Sequence, residues 1–193
     1  RRSTEKALAE SEDRYRDLIT TTPDIIWEAD TERRLVYVSP AVEQILGYRP
    51  EELIGRSPFE FFAPEVRARS QGAFDNVVRM NAPFIVFDSR WLHKDGHVVI
   101  LETRARPIIR GDGSFAGFRG IDRDVTEQRK TEGALAESEK RFRDLAELLP
   151  QNVWECTIDG KLTFANRYSF GMYRYAPEDI QKGLYVWQMV HPD

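Results

Sequence analysis

Few residues in this chain offer chemistry by their type and spacing. His93 and His97 flank Lys94-Asp95-Gly96, a His-x-Asp-x-His run with the composition of a metal-ligand set. Asp-Gly is also a strong hairpin signal, because both positions tolerate positive φ. A tight hairpin aims such side chains outward and no fourth ligand is apparent, so a solvated turn without a metal is expected. His191 stands in His191-Pro192-Asp193 and brings no chemistry of its own. Cys156 is the only cysteine, which excludes an internal disulfide and a cysteine-built zinc site. Glu51 and Glu52 sit at a helix start, where the dipole and solvent account for them. No Walker segment, Gly-rich nucleotide loop, Gly-x-Ser-x-Gly elbow or kinase phosphoacceptor segment is present. An enzyme reading has no constellation to stand on.

The composition is globular, with 41% apolar, 11% aromatic and 31% charged residues. Net charge is −4 and the charges are interspersed, whereas nucleic-acid binding needs a basic face. No apolar run approaches the roughly 18 residues of a membrane span. The opening Arg1-Arg2 and the charged stretch after it do not resemble a signal peptide. A cytoplasmic chain with no nucleic-acid partner and no membrane contact is expected.

The chain repeats itself. Ala7–Leu18 reads ALAESEDRYRDL and Ala134–Leu145 reads ALAESEKRFRDL. At the same offset Pro23 meets Pro150, Trp27-Glu28 meets Trp154-Glu155, and Pro50-Glu51 meets Pro177-Glu178. One full unit and the opening part of a second are therefore present. Arg2, Thr4 and Glu5 also match Arg129, Thr131 and Glu132, which places Arg1 in the tail of a preceding unit. A segment of a longer tandem array is expected.

The elements follow from pattern. Thr4–Thr22 reads as a helix with an apolar stripe at Leu8, Tyr15 and Leu18. Ile25–Asp30 and Leu35–Ser39 read as strands, followed by short helices at Ala41–Leu46 and Pro50–Ile54 and a longer one at Pro64–Met80. Three strands follow, Phe84–Leu92, His97–Ile109 and Phe115–Ile121. The order ββαααβββ predicts an α+β fold with one antiparallel sheet and helices on one face. Asp124-Val125-Thr126-Glu127 has the form of a capping box opening a helix to about Leu149, with Leu135, Phe142, Leu145 and Leu149 as its seam. So narrow a stripe calls for a partner helix.

This element order, with the segments GYRPEEL, HKDG and GIDRDVTEQRK, resembles a PAS domain with its C-terminal Asp-x-Thr signalling motif. The resemblance divides the chain into an N-terminal signalling or dimerisation helix (1–22), a complete PAS domain (23–126), a helical linker (127–149) and the first half of a second PAS domain (150–193). It implies a five-stranded sheet in the order 2-1-5-4-3. It also implies a sensory or relay module, paired with itself through its helices and linked to neighbouring PAS and output domains, such as a histidine kinase or a cyclic-dinucleotide enzyme. Asp124 and Thr126 take the signalling positions. Leu8, Tyr15, Leu18, Leu135, Phe142 and Leu149 are expected to face a symmetry mate.

In similar domains a covalently bound flavin needs a cysteine in the central helices, which is missing here. A haem ligand would be a histidine on the long internal helix, and Pro64–Met80 has none. The expectation is no cofactor, with a non-covalent flavin redox sensor as the alternative. Strand alternation and the long helix give the pocket a lining of Phe74, Val78, Phe87, Ser89, Leu101, Thr103 and Ala105, or else these fill a small core. The second copy offers only two strand segments, which cannot cover their own edge and face. Strand addition or exchange with another copy is therefore expected, burying Trp154, Phe164 and Trp187 across a chain boundary.

Overall fold

Alternating apolar residues make Ile25–Ala29 (β1) a strand with Ile25, Trp27 and Ala29 buried on one face. The computed structural model describes residue 19, residues 21–79 and residues 83–190. Leu8, Tyr15 and Leu18 lie outside the described residues, as does the side chain of Val78.

β1 pairs with Leu35–Val38 (β2) on one side and with Phe115–Asp124 (β5) on the other. Val98–Ile109 (β4) joins β5 to Ile85–Leu92 (β3), all antiparallel, giving the order β2-β1-β5-β4-β3. Between β2 and β3 run Ala41–Leu46 (α1), Pro50–Leu53 (α2), a 3-10 turn at Pro58–Phe61 and Pro64–Arg79 (α3). Gly47 ends α1 at φ 74°, a conformation that glycine adopts without penalty. Pro50 opens α2, where a missing N–H costs nothing. The 3-10 turn was not foreseen from the sequence, and it supplies Phe59 and Phe61 to the core.

Helix Thr126–Leu148 (α4) follows β5. The chain divides into two compact units, residues 1–129 and 130–193. The second unit holds Trp154–Cys156 (β6) and Leu162–Ala165 (β7), then Arg167–Tyr173 (α5), Pro177–Gln181 (α6) and Val186–Val190 (α7). Leu162, Leu184 and Met189 form its small core. No helix among the described residues is long and apolar enough to cross a membrane.

The hub of the second unit is Asn166, whose side chain is fully enclosed. Its Nδ2 donates to the carbonyls of Ala146 (2.8 Å) and Gln151 (2.9 Å), while Oδ1 accepts from the backbone N–H groups of Val153 (3.3 Å) and Ser169 (3.1 Å). One amide thus ties the end of α4, the lead into β6 and the first turn of α5.

The described residues of this one chain give the pairing and burial of the segment for which exchange is expected. Among them β6 pairs with β7 alone. Phe164 is buried by the unit's own helix, with the Phe142 ring 6.4 Å away and the Arg143 guanidinium above it. Its cover therefore needs no second chain. Trp154 and Trp187 are 45% and 51% exposed, so neither is enclosed within this chain. Trp187 instead stacks on Tyr185 and lies over Gly160, where a Cβ would strike its ring.

Replacing Asn166 by Ala strands the Ala146 and Gln151 carbonyls and removes the acceptor of two amides. The expected cost to the second unit is about 1–3 kcal/mol. Hydrogen exchange should show protection lost at Val153 and Ser169 and unchanged along β4.

Candidate functional site

The inner face of the sheet collects Trp27 from β1, Phe87 from β3, Thr103 from β4, and Phe118 and Asp122 from β5, with Phe74 of α3 closing over them. These six line a cavity with about 30 Å³ of water-accessible space. The rings leave little room because they pack edge to face. Phe74 lies 5.0 Å from Phe118, 5.7 Å from Phe87 and 5.7 Å from Phe59. Arg33, in the β1–β2 turn, lines the same cavity and is ion-paired with Asp75 of α3.

Trp27 and Gly120 are cross-strand partners, and the indole lies on the glycine. A Cβ there would sit 2.6 Å from Trp27 Cζ2 and 2.8 Å from the Arg104 carbonyl, so the close approach requires glycine. One pair further along β5, Asp122 is 2% exposed and faces Thr103 in register. Both Asp122 Oδ1 and Trp27 Nε1 are buried without a hydrogen-bond partner. Burial pushes the Asp122 carboxyl up to about 7; the Trp27 and Thr103 dipoles pull it down less strongly, and the Asp24 carboxylate adds a small upward push. Water-sized space beside two orphaned polar atoms is a polar niche within an aromatic wall.

Of the residues expected to line a pocket, Phe74, Phe87 and Thr103 stand on the cavity wall. Ser89, Leu101 and Ala105 are buried on the same sheet face but off that wall. Ser89 is occupied within the sheet: its Oγ lies 3.0 Å from Thr103 Oγ1 and 3.1 Å from the Leu101 carbonyl, and it accepts from Trp91 Nε1. Trp27 and Asp122 were missed by the sequence reading. The signal was available, because alternation from Phe118 through Gly120 puts Asp122 on the inner face.

Asp124 and Thr126 form a clasp at the end of the same strand. Asp124 is the last residue of β5, and its Oδ1 accepts from the Thr126 N–H at 2.8 Å, an Asx turn into α4. The Thr126 hydroxyl is directed to the neighbouring strand. It accepts from the Ile100 N–H of β4 at 2.9 Å, while the Val125 N–H donates to the Ile100 carbonyl. Arg129 on the next turn pairs with Asp88 of β3 at 2.9 Å.

The hairpin histidines also depart from expectation. His93 is only 20% exposed, with its ring against Gly47, and both imidazoles turn toward Asp95.

The profile of the PAS domain family matches residues 23–127. The chain belongs to the PAS domain family. It is 29% identical over 166 residues to the uncharacterized protein y4lL of Sinorhizobium fredii, covering 86% of this chain and 20% of that protein. It is 25% identical over 130 residues to the aerobic respiration control sensor protein ArcB of Escherichia coli, covering 67% of this chain and 16% of ArcB. The chain thus spans about a fifth or less of these relatives. Among solved structures, a PAS domain from Colwellia psychrerythraea superposes with a TM-score of 0.55 at 24% identity, covering 60% of this chain and 97% of that one. A sensory box histidine kinase/response regulator from Burkholderia thailandensis gives 0.56 at 22% identity, covering 68% and 98%. Both carry the same fold.

The PAS cavity does not fit a flavin. Ligand sites for molecules of that class are roughly 300 Å³ or more. The space here holds a water or two.

Asp122 sets a pH dependence of stability. Its folded value of about 7 lies above the ordinary 3.8. Between those values the folded state keeps a proton that the unfolded chain releases, so stability falls as pH rises from about 4 to about 7 and then levels. Glu52 and Glu60, held down by Lys94 and Arg56, act in the opposite sense at lower pH. Thermal melts of the wild type should therefore fall by several degrees between pH 5 and 8, at about 4–8 °C per kcal/mol. Asp122→Asn should flatten that decline.

Proposed function

We propose that the chain is a sensory and relay segment of a longer signalling protein, in which the first PAS unit passes a conformational signal into α4. The observation that carries this reading is the clasp at Asp124 and Thr126. It joins β5, the N–H and carbonyl of Ile100 on β4, and the first turn of α4 in one hydrogen-bonded knot. Two residues before it on β5 stands Asp122, in the only strongly perturbed polar niche among the described residues. A change in the cavity that moves β5 therefore moves the helix start directly, without a flexible joint between them.

The names of relatives point to the same class. ArcB is a sensor protein, and the Methanothrix harundinacea relative FilI, 29% identical over 120 residues, is a regulatory histidine kinase. In this reading the segment itself is not catalytic, and an output domain such as a histidine kinase lies elsewhere in the protein. Self-association through helices completes the proposal. Leu135, Leu145, Leu148 and Leu149 are exposed by 60%, 58%, 76% and 47%, an apolar strip that a second copy of the helix would cover. Phe142 is divided, since one side already meets Phe164.

Two measurements test this. Asp124→Ala should cost typically about 1 kcal/mol and release amide protection at Glu127–Lys130 while the sheet stays protected. Unchanged exchange there would remove the clasp from the relay. Sedimentation of the wild type at tens of micromolar should give a dimer, and Leu135→Asp with Leu145→Asp should give monomer. A wild type that is monomeric would refute the paired-helix arrangement.

A further inference from the structure

The β3–β4 hairpin tip brings two imidazoles and one carboxylate to a single point. Asp95 Oδ1 lies 2.9 Å from His93 Nδ1 and 2.5 Å from His97 Nδ1. The two rings stack with centroids 4.3 Å apart and planes 20° from parallel, so both Nδ1 atoms open toward the same side. All three ligand atoms lie within 4.8 Å of one another. Ligands about 2.0–2.2 Å from a tetrahedral zinc are roughly 3.4 Å apart, so side-chain rotations of about an ångström would seat an ion.

The chain holds this set in place before any ion arrives. The His93 N–H donates to the His97 carbonyl at 2.8 Å, and the Gly96 N–H to the His93 carbonyl at 2.8 Å, which fixes the turn. The Lys94 N–H donates to the Leu46 carbonyl at 2.9 Å, and Lys94 Nζ pairs with Glu52 at 2.7 Å, which pins the tip to α1 and α2. The His93 ring rests on Gly47, where a Cβ would stand 2.7 Å from Cε1 and 2.9 Å from Nε2. The turn therefore hides the Nε2 edge of His93 and presents Nδ1. The Asp95 N–H also lies 3.2 Å from His93 Nδ1, so the backbone of the turn holds that edge of the ring in place.

We propose that His93, Asp95 and His97 form a binding site for a divalent transition-metal ion of the zinc class. Two imidazoles and a carboxylate suit Zn²⁺, Ni²⁺ or Cu²⁺ and not Mg²⁺ or Ca²⁺, which prefer all-oxygen sets. Water completes the coordination, because His97 and Asp95 are 57% and 64% exposed. Preorganisation lowers the ordering cost of binding. The occupied site would staple the hairpin tip, whose far end pairs with β5. It stands independently of the sensory reading.

The test is calorimetric titration of the tag-free chain with Zn²⁺ in a non-coordinating buffer. One saturable site is expected, with both His93 and His97 ring resonances shifting on binding. His97→Ala should weaken binding at least tenfold, a loss of about 1.4 kcal/mol. Because His97 is exposed, its variant should keep the wild-type amide spectrum, so the loss is not one of folding. Asp95→Asn should weaken binding as well. His191→Ala and Cys156→Ser should leave it unchanged, and a large excess of Mg²⁺ should not compete. Absence of saturable uptake up to roughly 1 mM would overturn the proposal. So would uptake that survives His97→Ala or disappears in Cys156→Ser.

Discussion

The pairing of β4 with β5 is the constraint on which the rest of the first unit depends. Its register sets Leu101 opposite Asp124, Thr103 opposite Asp122 and Ala105 opposite Gly120. Side chains alternate with a period of two, so a slip of one residue would turn Asp122 to solvent and drive Arg123 into the aromatic core. The same register brings the end of β5 alongside Ile100, and only there can Thr126 and Val125 find their partners. Cavity, clasp and outgoing helix are thus consequences of one ladder. The turn at the other end holds that ladder in phase: its register shifts between Ile108 and Ile109, beside Gly117 at φ 133°, whose Cβ would collide with the Ala29 carbonyl.

Within that frame aromatic rings wall the cavity, and the Asp122 carboxyl buried beside them carries a cost. Phe118, Leu101, Leu46 and Leu53 are enclosed almost completely, and the ring cluster around Phe74 leaves only water-sized space. Burying an acid among such rings opposes its ionisation, and groups perturbed in this way cluster at working sites more often than elsewhere. Asp122 is the point where the fold gives up stability, two residues from the clasp that leads out of the domain.

The two copies show how one sequence pattern serves different ends. Ser39 of the first unit and Asn166 of the second occupy the same repeat position. Ser39 Oγ accepts from the Ile26 N–H, and Asn166 Oδ1 accepts from the corresponding Val153 N–H. The longer amide also reaches the carbonyl of Ala146 near the end of α4 and that of Gln151 beyond it, which a hydroxyl would not span. In the second unit that side chain joins the Phe142–Phe164 contact and the Arg167 N–H bond to Glu147 in tying the strands to the incoming helix.

The sequence by itself determined the repeat, the element order, the strand alternation that put Ser89, Leu101, Thr103 and Ala105 on one buried face, and the place of Asp124 and Thr126 at the start of the outgoing helix. These are local properties, carried by spacing, turn residues and side-chain period. Tertiary structure alone decided which of those buried residues reach the cavity, because that depends on how far the Phe74 ring of α3 and its ring neighbours fill it. It also sent the Thr126 hydroxyl to β4 instead of its own helix, since Ile100 is distant in sequence and near only through the ladder. And it folded two histidines back onto one aspartate, because Gly47 and Glu52, far away along the chain, offer the hairpin tip a surface on which to rest.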